Sequence, residues 1–314
     1  MLSLPPVKVY DSIDAFPGLK KAVVTIGTFD GVHAGHQQII QRLRSIAAES
    51  NAETVVLTFF PHPRMVLQPD DNDLKMITTM AEKEELLRFY GIDHLIIQPF
   101  NKEFSRLSAV EFVRDVLIRK VGMEVLVIGY DHHFGRNREG SYRDLEEMAP
   151  VYGFRLEEIS EKMVNDVAVS STKIRKALLN GNMEEARQLL GHDFTLSGMV
   201  VHGEKVGRTI GYPTANLEVT ETYKLVPSDG IYAVTVLISG KEHKGMLYIG
   251  NRPVLHGVKR SIEVNIFDFN EDIYGQSIQV NFKAFIRPDA KFSSMEELVK
   301  KIGEDKINAT KILS

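Results

Sequence analysis

The sequence predicts an α/β N-terminal domain on a Rossmann-like parallel sheet, followed by a small antiparallel β-barrel that ends in a helix. Three observations carry this expectation. In the first half, short β-branched runs alternate with stretches of helical spacing, the mark of βαβα units. After about residue 190 the strand signals crowd together without helices between them, which fits a small barrel. The length of 314 residues, 43% of them hydrophobic, is enough for two cores.

Taken in order, Ala22–Ile26, Thr54–Phe59, His94–Gln98 and Val125–Ile128 read as buried parallel strands. Between them Gly35–Ser50, Met80–Tyr90 and Ser108–Lys120 carry apolar residues at helical intervals. Ligands of such sheets bind beyond the carboxyl ends of the strands, which directs attention to the loops after Ile26, Phe59 and Ile128. After Ser170 the pattern changes to two helices, Thr172–Asn180 and Met183–Leu190, with Gly181 as a C-cap between them. The linker is expected near Asn180–Asp193, and the division is drawn as residues 1–186 and 187–314. Leu196–His202, Ile231–Ser239, Lys244–Ile249, Ser261–Phe269 and Ser277–Phe285 then read as barrel strands. A last helix, Ser294–Ile302, opens on a Ser N-cap with Glu297 three residues on.

Composition narrows the function classes. With no cysteine there is no disulfide framework, thiolate metal site or cysteine nucleophile, and a reducing cytoplasm is the expected location. Met1–Pro17 lacks the apolar core of a secretory signal, and no run of about 18 apolar residues predicts a membrane span. The net charge of −4 speaks against a nucleic-acid partner gripped through a broad basic surface. A small anionic substrate needs only a local positive cluster.

Gly27-Thr28-Phe29-Asp30-Gly31-Val32-His33-Ala34-Gly35-His36 lies between the first strand and the first helix. Helix N-termini offer unpaired N–H groups and partial positive charge to phosphate oxygens. Gly27, Gly31 and Gly35 allow close approach of the backbone, with Phe29 among them. His33 and His36, three apart at the helix start, face the same way and suit a phosphate whose charge grows in the transition state. Neither a Walker A loop nor the dinucleotide fingerprint is present. The run resembles the His-x-Gly-His signature of the nucleotidyltransferase superfamily. Ser170-Ser171-Thr172-Lys173-Ile174-Arg175 is similar to that superfamily's second phosphate-holding segment, which implies that Ser170, Ser171, Thr172 and Arg175 contact the triphosphate. The runs Phe59-Phe60-Pro61-His62-Pro63 and Gly129-Tyr130-Asp131-His132-His133-Phe134-Gly135 fall at the other two strand ends, and a zinc site is not expected from their histidines. With the preceding motifs they resemble the N-terminal module of bacterial bifunctional riboflavin kinase/FAD synthetases. The resemblance implies nucleotide or flavin contact at Asp131 and flavin contact at Phe59, Pro61, His62 and Pro63.

The stretch Gly198–Asn216 holds the second group of candidates. Gly203, Gly207 and Gly211 are evenly spaced in a loop with Lys205 and Arg208, so backbone donors and two cations are available to surround a phosphate chain. Pro213-Thr214-Ala215-Asn216 adds a hydroxyl and an amide carbonyl, hard oxygen ligands for Mg²⁺. This segment resembles the riboflavin kinase signature, and the likeness implies that Thr214 and Asn216 meet Mg²⁺·ATP, that Glu263 in Ile262-Glu263-Val264-Asn265 is the catalytic base, and that Arg287 lies near the flavin. Asn265 stands where many members have His.

The expected function is therefore phosphorylation of riboflavin to FMN by ATP and adenylylation of FMN to FAD by a second ATP, with ADP and pyrophosphate released and Mg²⁺ as cofactor. The alternative is a nucleotidyltransferase for another phosphate acceptor, its barrel binding flavin without catalysis. A flavin-sensing module would have lost phosphate ligands, yet His33, His36, Lys205 and Arg208 are present. A class I aminoacyl-tRNA synthetase shares the His-x-Gly-His element, but a tRNA-binding region is not evident here.

Overall fold

The computed structural model describes residues 6–68, 74–129, 133–159, 169–203, 206–254 and 257–314. The chain forms two compact units. The first comprises Met1–Lys75 and Met80–Ser170, the second Met76–Thr79 and Ser171–Ser314.

The first unit is built on strands β1 (Lys8–Tyr10), β2 (Ala22–Ile26), β3 (Glu53–Phe60), β4 (His94–Pro99), β5 (Met123–Gly129) and β6 (Arg155–Ile159). They form one sheet in the order β1-β4-β3-β2-β5-β6, paired in parallel throughout. Helices α1 (Ala34–Ser50), α2 (Pro63–Leu67), α3 (Met80–Phe89), α4 (Ala109–Glu111) and α5 (Tyr142–Tyr152) connect them. Alternate strand residues face opposite ways, so Val23, Val56, Leu95 and Val127 pack with Ile40 and Leu43 of α1 and Leu87 of α3. Val24, Leu57 and Leu126 pack on the other side with Phe112, Val116 and Leu145. A sheet buried on both faces requires the continuous apolar runs that the sequence shows. Because all strands run one way, the ends of β2, β3 and β5 lie along one edge, as the alternation predicts.

The helix expected at Ser108–Lys120 starts on a capping box between Ser108 and Glu111 and passes at Phe112 into a π-helical stretch, Phe112–Val121. Besides α2, three further elements of this unit were not expected. β1 is a three-residue edge strand, and β6 is an edge strand whose Glu157 accepts from the Arg42 guanidinium at 2.6 and 2.9 Å. Helix α5 starts on a Ser141–Asp144 capping box and stops at Gly153 (φ 73°).

In the second unit, helices α6 (Ser171–Leu179) and α7 (Met183–Leu190) bury Ile174, Leu178, Met183 and Leu190. Then β7 (Phe194–Val201), the short helix α8 (Val206–Thr209), β8 (Ala215–Glu218), β9 (Gly230–Ile238), β10 (Lys241–Val254), β11 (Gly257–Ile266) and β12 (Ser277–Arg287) follow. The strands close an antiparallel barrel in the order β10-β11-β8-β7-β12-β9. Leu196, Val234, Leu247, Val264, Val280 and Phe282 are buried in it. Met76–Thr79 is part of this unit. The Met76 N–H donates to Tyr223 O at 2.7 Å, Leu225 N–H to Met76 O at 2.8 Å, and the buried Lys224 ammonium to Ile77 O at 2.6 Å and Thr195 O at 2.7 Å.

The terminal helix α9 (Met295–Ile312) begins at the expected Ser294 cap but runs well past Ile302. Its extra turns are held by a charge. Asp305, 2% exposed, accepts from Arg287 Nε and Nη2 at 2.7 to 3.1 Å, which ties α9 to the end of β12. An acidic residue on the inner face breaks the apolar stripe that marks a helix in sequence. Replacing one partner of such a buried pair leaves the other charge without compensation. Asp305→Ala is expected to destabilise the second unit by roughly 3–5 kcal/mol in urea denaturation, and Asp305→Leu with Arg287→Met by much less.

Candidate active sites

The first candidate site forms where the backbone leaves β2. Phe29 (φ 45°), Gly31 (φ 82°) and Val32 (φ 40°) all take left-handed conformations, two of them at residues with side chains that disfavour it. Such strain persists only where the surroundings over-determine it. Here Gly27 N–H donates to Leu57 O at 3.1 Å, Val32 N–H to Phe29 O at 3.2 Å, and Gln37 Nε2 to Val32 O at 2.9 Å. Phe29, Asp30 and Val32 are buried.

The turn delivers the two histidines to the start of α1. His33 is the N-cap, its Nδ1 accepting from His36 N–H at 3.4 Å, so a neutral His33 carries its proton on Nε2. The His33 and His36 rings stack with centroids 3.6 Å apart and 16° between planes, and Phe29 lies 4.7 Å from the His36 ring. Among the described residues the buried His36 Nδ1 makes no hydrogen bond. Burial holds the His36 imidazole well below its ordinary value of 6.5, and the neighbouring His33 and Lys83 charges act in the same direction. The site thus presents a helix N-terminus and stacked imidazoles, suited to an oxyanion. Gly27 and Gly35 lie on either side of this turn.

Of the flavin candidates, Phe59 is the penultimate residue of β3 and packs against Phe100 and Phe104 with ring centroids 5.7 and 5.8 Å away. His62 caps α2 by accepting from Arg64 N–H at 3.1 Å, and Pro63 is the first helical residue, preceded across this turn by exposed Pro61. Arg287 is committed to Asp305, with its Nη1 donating to Pro288 O at 3.0 Å. Ser170 belongs to the first unit, whereas Ser171, Thr172 and Arg175 lie in α6 of the second. Asp131 and Lys205 lie outside the described residues.

The second site sits where β8 joins β11. Glu263 pairs in register with Asn216, and Thr214, just before β8, donates its hydroxyl to Glu263 Oε2 at 3.1 Å. Glu263 is 5% exposed. Asn265 Nδ2 donates to Pro213 O at 2.6 Å, fixing the turn that presents Thr214. The loop packs tightly: a β-carbon at Gly203 would collide with the Asn216 amide, and one at Gly207 with the Tyr212 carbonyl. Arg208 is exposed on α8. Hydroxyl, amide and carboxylate oxygens within one pairing form a hard donor set that fits Mg²⁺, an ion that prefers few protein ligands alongside phosphates.

One residue of the first site escaped the sequence reading. Lys83 on α3 is fully buried and donates to the Thr28 carbonyl at 2.7 Å. Its position one helical turn before the buried Leu87, on the inward stripe, was the available signal.

The comparisons with known proteins agree with this two-site arrangement. The family described as FAD synthetase matches residues 17–173, and that described as riboflavin kinase matches residues 190–313. Curated relatives named bifunctional riboflavin kinase/FMN adenylyltransferase include one from Listeria monocytogenes, 39% identical over 90% of this chain and 90% of its own. One from Escherichia coli is 37% identical over 91% of each chain. A crystal structure described as a macrolide-efflux protein from Streptococcus pneumoniae is 34% identical and superposes with a TM-score of 0.86 over 98% of this chain and 99% of that one. Its description differs from the names that the curated relatives carry. Among the described residues here, no helix is long and apolar enough to cross a membrane.

The lowered His36 titration has a stability consequence with a definite sign. Between the ordinary value of 6.5 and the lower folded one, the unfolded chain binds a proton that the folded chain does not. The contribution is present above 6.5 and is lost as pH falls through the folded value. His36→Gln should therefore lose less stability than the parent from about pH 7.5 to about pH 5.5, measured as the shift in urea midpoint.

Proposed function

The chain belongs to the bifunctional riboflavin kinase/FMN adenylyltransferase family, and we propose that it phosphorylates riboflavin to FMN with ATP and adenylylates FMN to FAD with a second ATP. The observation that carries this reading is the buried Glu263 carboxylate held against Thr214 and paired with Asn216, because a barrel that merely bound flavin has no use for it. The work is divided at residues 1–186 for adenylylation and 187–314 for phosphorylation.

In the kinase half, Glu263 orients the terminal ribityl hydroxyl and accepts its proton as the oxygen bonds to the γ-phosphorus and ADP departs. Thr214 and Asn216 would hold Mg²⁺, which when bound would neutralise charge on the phosphates. Gly203, Lys205, Gly207 and Arg208 cradle the ATP phosphates, and Arg287 borders the flavin. In the adenylylation half, His33 and His36 donate to the α-phosphate as FMN attacks it and pyrophosphate leaves. Gly27, Phe29, Gly31 and Gly35 bring the backbone to the nucleotide. Asp131, Ser170, Ser171, Thr172 and Arg175 are its further ligands, and Phe59, Pro61, His62 and Pro63 shape the FMN side. A cytoplasmic location completes the reading, supported by the absence of cysteine.

Product analysis with riboflavin, ATP and Mg²⁺ tests both halves. His33→Ala with His36→Ala should lower FAD formation by on the order of 10²-fold or more while FMN accumulates at the parental rate. FAD made at the parental rate would remove the histidines from the reaction. Glu263→Gln keeps the shape but not the basic charge, and FMN formation should fall roughly 10²-fold while supplied FMN is still converted to FAD. Unchanged kinase turnover would assign the base to another residue.

A further inference from the structure

Lys83 has no part in the reading above, yet its ammonium lies directly behind the strained turn. It is fully buried, and its Nζ stands 2.7 Å from Thr28 O and 3.4 Å from Thr58 Oγ1. Thr58, also fully buried, donates its hydroxyl to the same Thr28 carbonyl at 3.2 Å. Taking an ammonium out of water is costly, so a buried lysine aimed at one carbonyl is expensive as packing alone. The carboxylate of Asp30, within the turn, offsets part of that cost electrostatically.

The carbonyl it holds is the last before the left-handed run. In a trans peptide the C=O and the following N–H point to opposite sides, so fixing Thr28 O also fixes the direction of Phe29 N–H. From there the chain enters the φ 45° conformation of Phe29, whose ring packs on His36. Rotation of this one peptide would carry Phe29, Asp30 and the His33 cap with it.

We propose that Lys83 is a positioning residue for adenylyl transfer, its ammonium clamping the Thr28–Phe29 peptide so that Phe29, His33 and His36 are set before the nucleotide arrives. It touches no substrate. The inference rests on the adenylylation role given above to the two histidines.

Lys83→Met keeps length and apolar volume but removes the donor and the charge. In the full-length protein it should lower kcat for FMN adenylylation roughly 10²-fold, as expected for reacting groups displaced by about 1 Å. KM for FMN and ATP should stay within about threefold, because ground-state binding is not what is lost. Riboflavin kinase turnover of the same preparation should be unchanged. Thr58→Val removes the second donor to the carbonyl and should lower the same kcat about threefold to tenfold. A folded Lys83→Met protein with parental adenylylation kcat, or with its loss confined to KM, overturns the proposal. If Lys83→Met does not fold, Thr58→Val decides, and a parental kcat there overturns it as well. The histidine double variant separates the two readings. FAD synthesis lost there but kept in Lys83→Met rejects the clamp alone, and synthesis kept in both rejects the site on which it rests.

Discussion

The chain must leave β2, a strand buried at all five positions, and turn at once into a helix without stranding its polar backbone. Water cannot satisfy those groups, so protein must. The solution is a turn over residues 27–32, left-handed at Phe29, Gly31 and Val32, in which Gly27 N–H donates to Leu57 O, Thr28 O accepts from Thr58 and Lys83, and Val32 O accepts from Gln37. Once that backbone is fixed, His33 is placed as cap, His36 follows three residues on, and the two rings stack. The imidazole pair is thus a product of strand burial and backbone bookkeeping, and it does not depend on flexible side chains finding each other.

The barrel meets a related constraint by other means. Four-residue β8 is the link between β7 and β11, so the backbone before it must arrive at a fixed height to bring Asn216 opposite Glu263. Asn265 holds Pro213 O, the Gly203 and Gly207 backbones close against Asn216 and Tyr212, and the Thr214 hydroxyl reaches Glu263. Asn265 therefore acts through the turn, its amide fixing the Pro213 carbonyl that precedes Thr214.

Much of this was legible in the sequence because strands buried on both faces cannot hide their composition: Val125–Ile128 is wholly apolar, and Ala22–Ile26 is apolar but for Thr25. The loops at their ends were then located by the rule for parallel sheets. What escaped is where polarity enters a buried position. β6 reads Arg-Leu-Glu-Glu-Ile because an edge strand tolerates charge, and α9 looks finished at Ile302 because Asp305 interrupts its inner stripe. Lys83 was hidden the same way, since a lysine in an amphipathic helix is ordinarily on the wet face. Met76–Thr79 carries no local pattern at all, and its place in the second unit is fixed by pairing with Tyr223–Leu225, far along the chain.

The two buried bases of the first site divide the charge between them. Desolvation lowers both, but from different starting points: His36 drops well below 6.5, whereas Lys83 falls from 10.5 only to about 8, with Asp30 opposing the fall. Near neutral pH the proton therefore resides on Lys83, and His36 is a neutral imidazole. The positive charge sits behind the turn, spent on a carbonyl, while the group facing the helix start is an uncharged donor. Such a donor costs less to bury before an anion arrives than an imidazolium would, and a second cation beside Lys83 would be repelled. The ammonium thus lies behind the backbone that presents His36, and its charge adds to burial and to His33 in keeping that imidazole neutral.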